Sequence, residues 1–312
     1  MQRSNSVPLT VIGGFLGAGK TTLLNAMLAQ AEGRRIAVLV NDFGDLQIDA
    51  ALISKRSATT IGLRNGCVCC SLAGGLVNAL TEALALDPQP HHVVVEASGV
   101  SDPRRIAQVA RTAAGFSPEA TVVVVAADQI EALAVDRYVA DTVMAQLAAA
   151  DLLILNKIDR VDQTRKQRVL EWLRNRVARA TLIEARHADV PIEITLGLSM
   201  SVDSPEGVSA SDHSDRFTAR VFRSFVPVSE TKLHKVLNQL PRSVLRFKGL
   251  VRLDSDPQRL RLIQGVGSHW TIGDVDPAIE HEGSAVAVIG AKEFLTDHEL
   301  TRVRELFDSA PN

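Results

Sequence analysis

The sequence predicts an α/β protein in which a mostly parallel sheet forms a larger first domain and a small α+β domain follows. Short apolar runs alternate with helical patterns over the first 200 residues, as expected when helical crossovers join parallel strands. A Ser-rich, acidic stretch, Ser199–Asp215, contains Pro205 and Gly207 and is typical of a linker. We therefore expect a first domain over 1–200, a linker over 201–216 and a second domain over 217–312.

In the first domain, runs rich in Val, Ile and Leu predict strands that are buried on both faces of the sheet. The predicted strands are Val7–Ile12, Ile36–Asn41, His92–Glu96, Thr121–Ala127, Asp151–Leu155 and Ile192–Thr195. Between them, apolar side chains recur at helical spacing. The predicted helices are Thr21–Gln30, a helix with Leu72, Leu76, Leu80 and Leu84 on one stripe, Tyr138–Ala150 and Thr164–Ala180.

The second domain is predicted to have the element order β-α-β-β-β-β-α. The predicted strands are Phe217–Val226, Val244–Leu253, Arg259–Gln264, His269–Ile272 and Ala285–Ile289. The first helix, Ser229–Leu240, is amphipathic, and the last begins with a capping box from Thr296 to Glu299. This order defines a small α+β domain.

Composition excludes several classes of partner. Lys and Arg number 34 and Asp and Glu number 36, so the net charge of −2 gives no overall field that would attract nucleic acid. Aromatic residues make up only 4%, which argues against stacking on single strands. No apolar run approaches the roughly 20 residues of a membrane helix. The N-terminus lacks the apolar core of a signal peptide, so we expect a cytoplasmic protein with no nucleic-acid or membrane partner.

A glycine-rich loop follows the first predicted strand and fits the pattern G-x-x-x-x-G-K-[ST] from Gly14 to Thr21. In such a loop the backbone N–H groups point at phosphate oxygens, and the following helix N-terminus adds positive potential. Lys20 would bridge the β- and γ-phosphates, and the Thr21 hydroxyl would ligate Mg²⁺. The residues expected to hold the nucleotide phosphates are Gly14, Gly17, Ala18, Gly19, Lys20, Thr21 and Thr22.

A second motif, Asn156-Lys157-Ile158-Asp159, directly follows the predicted strand that ends at Leu155. A carboxylate there can accept hydrogen bonds from both guanine N1–H and N2–H₂, a donor pair that adenine lacks. Asn and Asp also cap helices that follow strands, which is the alternative. The upstream phosphate loop favours guanine recognition, with Asn156, Lys157 and Asp159 at the base.

Two further polar segments follow predicted strands. Glu96 ends a buried strand and could position Mg²⁺ or water, so Lys20, Thr21 and Glu96 form the predicted catalytic set. Gly99 could donate its N–H to the γ-phosphate and begin a switch loop that extends to about Arg105. The segment from Asn41 to Asp45, which contains Asp42, lies where a first switch is expected. The alternative for each segment is an ordinary polar turn.

All three cysteines of the chain, Cys67, Cys69 and Cys70, fall in one short segment. Thiolates suit Zn²⁺, Co²⁺ or Cu⁺, and three of them leave a tetrahedral ion one ligand short. Such an open position suits transfer of the ion better than permanent binding. Burial of the thiols or a redox pair are the alternatives, but neither explains the clustering as well as metal binding does.

Taken together, these motifs resemble those of the CobW family of metallochaperone P-loop GTPases. The segments that carry the resemblance are Gly13–Asn25, Asn41–Gly44, Asn65–Cys70, Glu96–Gly99 and Asn156–Asp159, with Leu245–Gly249 and Trp270 in the second half. The resemblance implies a P-loop nucleoside-triphosphatase fold and Mg²⁺-dependent GTP hydrolysis coupled to delivery of a transition metal. It implies Cys67, Cys69 and Cys70 as the ligands of Zn²⁺ or Co²⁺. Asp42 departs from the Glu that family members often have.

The sequence therefore predicts a GTP-hydrolysing metallochaperone that delivers its metal to a client metalloprotein. A homodimer is one possible assembly. Two alternatives belong to other classes. The first is a GTP-dependent chaperone that activates a cofactor enzyme without carrying metal. The second is a P-loop small-molecule kinase, against which the guanine motif argues.

Overall fold

The chain divides into two compact units, Ser4–Leu196 and Gly197–Asn312, with Met1–Arg3 assigned to the second. A computed structural model describes residues 6–31, 33–40, 58–62, 72–177, 179–197, 217–241, 243–275, 281–292 and 295–308. The predicted linker over 201–216 lies outside these ranges, and the domain boundaries remain predictions.

The first unit contains a seven-stranded sheet in the order β3-β2-β4-β1-β5-β6-β7, and every neighbouring pair is parallel. The strands are β1 Val7–Gly13, β2 Ile36–Val40, β3 Ala58–Gly62, β4 His92–Glu96, β5 Phe116–Ala126, β6 Leu152–Asn156 and β7 Thr181–Glu184. The predicted mostly parallel α/β fold is confirmed. β2, β4 and β6 are buried along their whole length, as their Val, Ile and Leu runs predict.

Seven helices accompany this sheet among the residues that the structure describes. They are α1 Lys20–Ala29, α2 Leu72–Leu84, α3 Pro103–Thr112, α4 Ile130–Leu133, α5 Ala140–Ala148, α6 Gln163–Arg176 and α7 Ile192–Thr195. Asp102 caps the N-terminus of α3, where its carboxylate accepts a hydrogen bond from the Arg104 N–H at 3.0 Å. Asp162 caps α6 in the same way by accepting from the Arg165 N–H.

One predicted strand is wrong. Ile192–Thr195 forms the single-turn helix α7, in which the Leu196 N–H donates to the Ile192 carbonyl at 2.7 Å. Its sequence, Ile-Glu-Ile-Thr, has only two apolar residues, and four residues are too few for the spacing to distinguish a strand from a helical turn. The seventh strand is Thr181–Glu184 instead, and β3 was not predicted either.

The second unit has a five-stranded antiparallel sheet in the order β11-β10-β9-β12-β8. Its elements are β8 Phe217–Ser224, α8 Glu230–Asn238, β9 Val244–Leu253, β10 Asp256–Val266, β11 His269–Asp274, β12 Ser284–Ala291 and α9 Asp297–Asp308. This is the predicted order. Leu233 and Leu237 of α8 and Leu306 and Phe307 of α9 pack in one core with Phe247 of β9.

The strand register in the first unit places the predicted site at one edge of the sheet. Glu96, the last residue of β4, pairs with Ile12 of β1 and with Val40 of β2. On the other side of β1, Asn156 at the end of β6 pairs with Ala126 of β5. Because parallel strands present their carboxyl ends together, the loops that follow β1, β4 and β6 meet at this edge.

A cluster of charged side chains joins α4 to α6 at the same edge. Arg168 donates two hydrogen bonds to the Glu131 carboxylate, at 2.9 and 3.1 Å, and Arg165 donates a third at 3.4 Å. The hydrogen bonds from Arg168 hold the pKa of Glu131 below its ordinary value. This cluster ties the start of α6, next to the predicted guanine motif, to the helix that follows β5.

We expect Glu131→Gln to lower the melting temperature by a few degrees at neutral pH, because the amide keeps the shape but loses the charge. A lowered pKa in the folded state stabilises the protein above the ordinary glutamate pKa, and this contribution is lost as the pH falls through the lowered value. The difference between the wild type and the variant should therefore shrink in acid. Thermal unfolding at several pH values measures it, and Glu171→Gln on α6 is the control. A pH-independent difference would contradict this account.

Candidate functional site

The glycine-rich loop connects β1 directly to α1, which begins at Lys20. Gly14 has a φ of 134°, and a Cβ there would collide with the carbonyl oxygen of Val124 on β5. Gly19 has a φ of 111°, and a Cβ there would collide with the Asn156 side-chain amide. The loop is thus pressed against its neighbours at both ends, which only glycine permits.

The side chains that follow the loop meet the end of β4. Lys20 is only 8% exposed, and its ammonium group donates to the Phe15 carbonyl inside the loop at 3.5 Å. The Thr21 hydroxyl donates to Oε1 of Glu96 at 3.4 Å, and Glu96 is 2% exposed. Thr22, in the same helical turn, is exposed. The structure therefore brings Lys20, Thr21 and Glu96 to one place.

This donor set fits Mg²⁺. A hydroxyl and a carboxylate oxygen are hard ligands, and Mg²⁺ in nucleotide sites is held by one or two such groups together with phosphate oxygens and water. Thr21 and Glu96 would hold the ion, which would neutralise charge that develops on the phosphates.

The guanine motif lies on the other side of the glycine-rich loop and contacts it twice. The Asn156 amide, which is 2% exposed, donates to the Ala18 carbonyl at 3.0 Å. The Lys157 ammonium donates to the Gly17 carbonyl at 2.6 Å. Lys157 has a φ of 59°, a left-handed conformation that turns the chain sharply after β6. Asp159 lies in the exposed 3₁₀ turn Ile158–Arg160.

Asn156 also holds a loop that the sequence did not reveal. Its Oδ1 accepts a hydrogen bond from the Ala188 N–H at 2.8 Å, in the segment between β7 and α7. His187 and Ala188 have φ values of 51° and 55° there. His and Ala at these positions do not indicate a left-handed backbone conformation, so the sequence could not predict this part of the site.

Gln146 is a second residue that the sequence analysis missed. Its amide donates to the carbonyl oxygens of Gly99 and Ser101, both at 3.0 Å, in the loop that follows β4. A polar residue lies here on the buried face of α5 beside Val143 and Leu147. That interruption of an apolar stripe is the sequence signal that could have found it.

The predicted ligands of the transferred metal, Cys67, Cys69 and Cys70, lie outside the described residues. Asp42 of the predicted first switch lies outside them as well, whereas Thr21, the predicted Mg²⁺ ligand, is described. Within the ranges that the structure describes, no group of three or more His, Cys, Asp or Glu side chains could hold a metal ion. No described helix is long and apolar enough to cross a membrane.

A phosphate loop between a buried strand and a helix, at the carboxyl edge of a parallel sheet, defines a P-loop nucleotide-binding protein. The family model described as "CobW/HypB/UreG, nucleotide-binding domain" matches residues 8–184, and that of the cobalamin synthesis protein cobW C-terminal domain matches residues 217–309. The chain therefore belongs to the CobW family, and the resemblance in its motifs is confirmed.

Curated relatives agree with this assignment. The chain is 31% identical to "Zinc chaperone CobW" from Sinorhizobium sp., covering 91% of this chain and 92% of the relative. It is 32% identical to "Zinc chaperone YjiA" from Escherichia coli, covering 84% and 86% of the two chains. A crystal structure of the Zn(II)-bound YjiA GTPase from E. coli superposes with a TM-score of 0.47 and 23% identity, covering 97% of this chain and 99% of that one.

Asp159→Asn should weaken GTP binding relative to ATP. The amide offers guanine a donor or a single acceptor in place of the two carboxylate oxygens, so the bidentate pair is lost. Competition binding of GTP and ATP measures the preference. The matched control is Asp162→Asn, because Asn replaces Asp well at a helix N-cap. Unchanged guanine preference in Asp159→Asn would show that the base is recognised elsewhere.

Proposed function

We propose that the protein is a GTP-hydrolysing metallochaperone that binds Zn²⁺ or Co²⁺ at its C-x-C-C segment and delivers the ion to a client metalloprotein. The observation that carries this proposal is the double contact of the guanine motif with the phosphate loop, Asn156 to Ala18 and Lys157 to Gly17. These hydrogen bonds join the segment predicted to bind guanine to the loop predicted to bind the phosphates of the same nucleotide.

The proposed hydrolytic site consists of Lys20, Thr21 and Glu96. Lys20 supplies a point charge for the β- and γ-phosphates, and Thr21 and Glu96 hold Mg²⁺. Burial matters because hydrogen bonds and charges act more strongly where water is excluded. Lys20 and Glu96 are both buried in this arrangement, so neither charge is screened by bulk water.

The metal is proposed as cargo, held by Cys67, Cys69 and Cys70. Thiolates favour borderline and soft ions, and both Zn²⁺ and Co²⁺ accept tetrahedral sulfur coordination. The two relatives described above are named zinc chaperones, which supports Zn²⁺ as the ion carried here. The client, a homodimeric assembly and a cytoplasmic location belong to the same proposal.

Lys20→Ala should abolish GTP hydrolysis while the fold survives, because the developing negative charge is no longer neutralised. Phosphate release under saturating GTP and Mg²⁺ measures this, and circular dichroism checks the fold. Lys166→Ala is the control, since this lysine lies on α6, outside the phosphate loop, and pairs with Glu184 of β7 at 2.9 Å. Wild-type turnover in Lys20→Ala would overturn the assignment of the phosphate site.

Metal binding should depend on the nucleotide. The cysteines lie in sequence between the two presumed switch segments, so contacts to the γ-phosphate can bias their geometry. A typical coupling of about 1–3 kcal/mol would change metal affinity roughly 5–150-fold, and metal would change GTP affinity by the same factor. Titration with Co²⁺ measures the coupling, because thiolate coordination gives an intense absorption band.

We expect a strong band with Mg²⁺ and a GTP analogue and a weak band with GDP. Replacing Cys67, Cys69 and Cys70 together by Ser should remove the band and leave nucleotide binding intact. Equal metal affinity in the two nucleotide states would overturn the switch mechanism. Intact GTP hydrolysis without metal affinity would favour the alternative of an activation chaperone that carries no metal.

A further inference from the structure

Gln146 of α5 is a buried amide that holds the loop after β4 in place. The side chain is 2% exposed, and its Nε2 atom reaches the carbonyl oxygens of both Gly99 and Ser101 at 3.0 Å. A primary amide has two N–H donors, and two carbonyl acceptors can use both of them. Gln146 thus connects α5 to the segment in which Gly99 was predicted to meet the γ-phosphate.

The peptide group that carries the Gly99 N–H is itself fixed by hydrogen bonds. Its carbonyl oxygen belongs to Ser98 and accepts from the Ser101 N–H at 3.0 Å and from the Ser101 hydroxyl at 2.9 Å. In a trans peptide the N–H points opposite to the carbonyl oxygen. Fixing the Ser98 carbonyl therefore fixes the direction of the Gly99 N–H, and Gln146 holds the same turn through the Ser101 carbonyl.

The same turn lies directly against the phosphate loop. A Cβ on Gly99 would be 2.5 Å from Cδ2 of Leu16 and 3.0 Å from the Leu16 backbone nitrogen. The backbone of Gly99 therefore approaches the glycine-rich loop as closely as an unsubstituted residue can. Gln146 and Leu16 border one small apolar cavity with Phe15 and Val143. A carbonyl that loses its donor beside such a surface is costly.

We infer that Gln146 is a positioning residue that orients the Gly99 N–H for the γ-phosphate and so allows the protein to distinguish GTP from GDP. This inference rests on the proposed function and on the predicted contact of the Gly99 N–H with the γ-phosphate. Gln146 does not touch the nucleotide. It acts by holding the turn that contains Gly99, through the Gly99 and Ser101 carbonyls, before the ligand arrives, so that binding does not have to order the turn.

The experiment compares Gln146→Leu with the wild type. Leu has a similar volume but donates no hydrogen bond. Equilibrium binding of a non-hydrolysable GTP analogue and of GDP, each with Mg²⁺, should give about a tenfold loss for the analogue, the effect of losing one or two buried hydrogen bonds. GDP affinity should be unchanged because GDP has no γ-phosphate, and kcat for GTP hydrolysis should fall.

The matched control is Gln129→Leu. Gln129 borders the same cavity but is exposed. The affinities of this variant for both nucleotides should stay at the wild-type values. If Gln146→Leu does not fold, Gln146→Met replaces it, because the longer, flexible side chain fills the same space. Equal losses for the analogue and GDP, or no loss for either, would overturn the inference.

Gly99→Ala separates failure of this inference from failure of the proposed function. Its methyl group would push the turn away from Leu16, so GTP-analogue affinity should fall while GDP affinity is retained. Loss in both variants supports the inference. If only Gly99→Ala loses affinity for the GTP analogue, the contact of Gly99 with the γ-phosphate is supported and the role of Gln146 is overturned. No loss in either variant overturns the γ-phosphate contact itself, and with it the inference.

Discussion

The buried amide of Asn156 is the interaction on which the nucleotide edge depends. It donates to the phosphate loop at Ala18 and accepts from the loop after β7 at Ala188. It also lies so close to Gly19 that no Cβ fits between them. Two loops that are far apart in sequence therefore meet on one side chain at the end of β6. Because it is buried, each of its hydrogen bonds would be costly to leave unmade.

Gln146 plays the corresponding part on the opposite side of the phosphate loop. Each side chain is a neutral amide of 2% exposure, and each is anchored on a regular element, β6 for Asn156 and α5 for Gln146. Neutral amides can both donate and accept without the desolvation cost that buried charges carry. In the proposed hydrolytic site the ionisable groups Lys20 and Glu96 act on phosphate and Mg²⁺, while uncharged groups maintain the shape of the surrounding loops.

Much of this arrangement was predictable from sequence, for identifiable reasons. The parallel sheet followed from continuous Val, Ile and Leu runs, and the phosphate loop from glycines whose backbone geometry few other residues allow. Ile192–Thr195 failed because two isoleucines separated by Glu193 suit a buried helical turn as well as a strand. Gln146 and Ala188 were missed because their importance arises from contacts between distant segments. Ala188 acts through its backbone N–H, which every residue except proline has, so its residue type does not indicate this contact.

The residues of the guanine motif differ in whether they contact the phosphate loop. The side chains of Asn156 and Lys157 donate hydrogen bonds to the phosphate loop. Substitutions at these two positions would therefore disturb the predicted phosphate contacts together with the predicted base contacts. Asp159 is exposed and lies beyond these contacts, in a turn of its own. Under the proposed contact of Asp159 with the guanine base, a substitution at this single position would change which base the protein accepts and leave the phosphate loop intact. Base preference would then be separable from phosphate binding, and a variant that uses an unnatural nucleotide could be driven in cells independently of their own GTP.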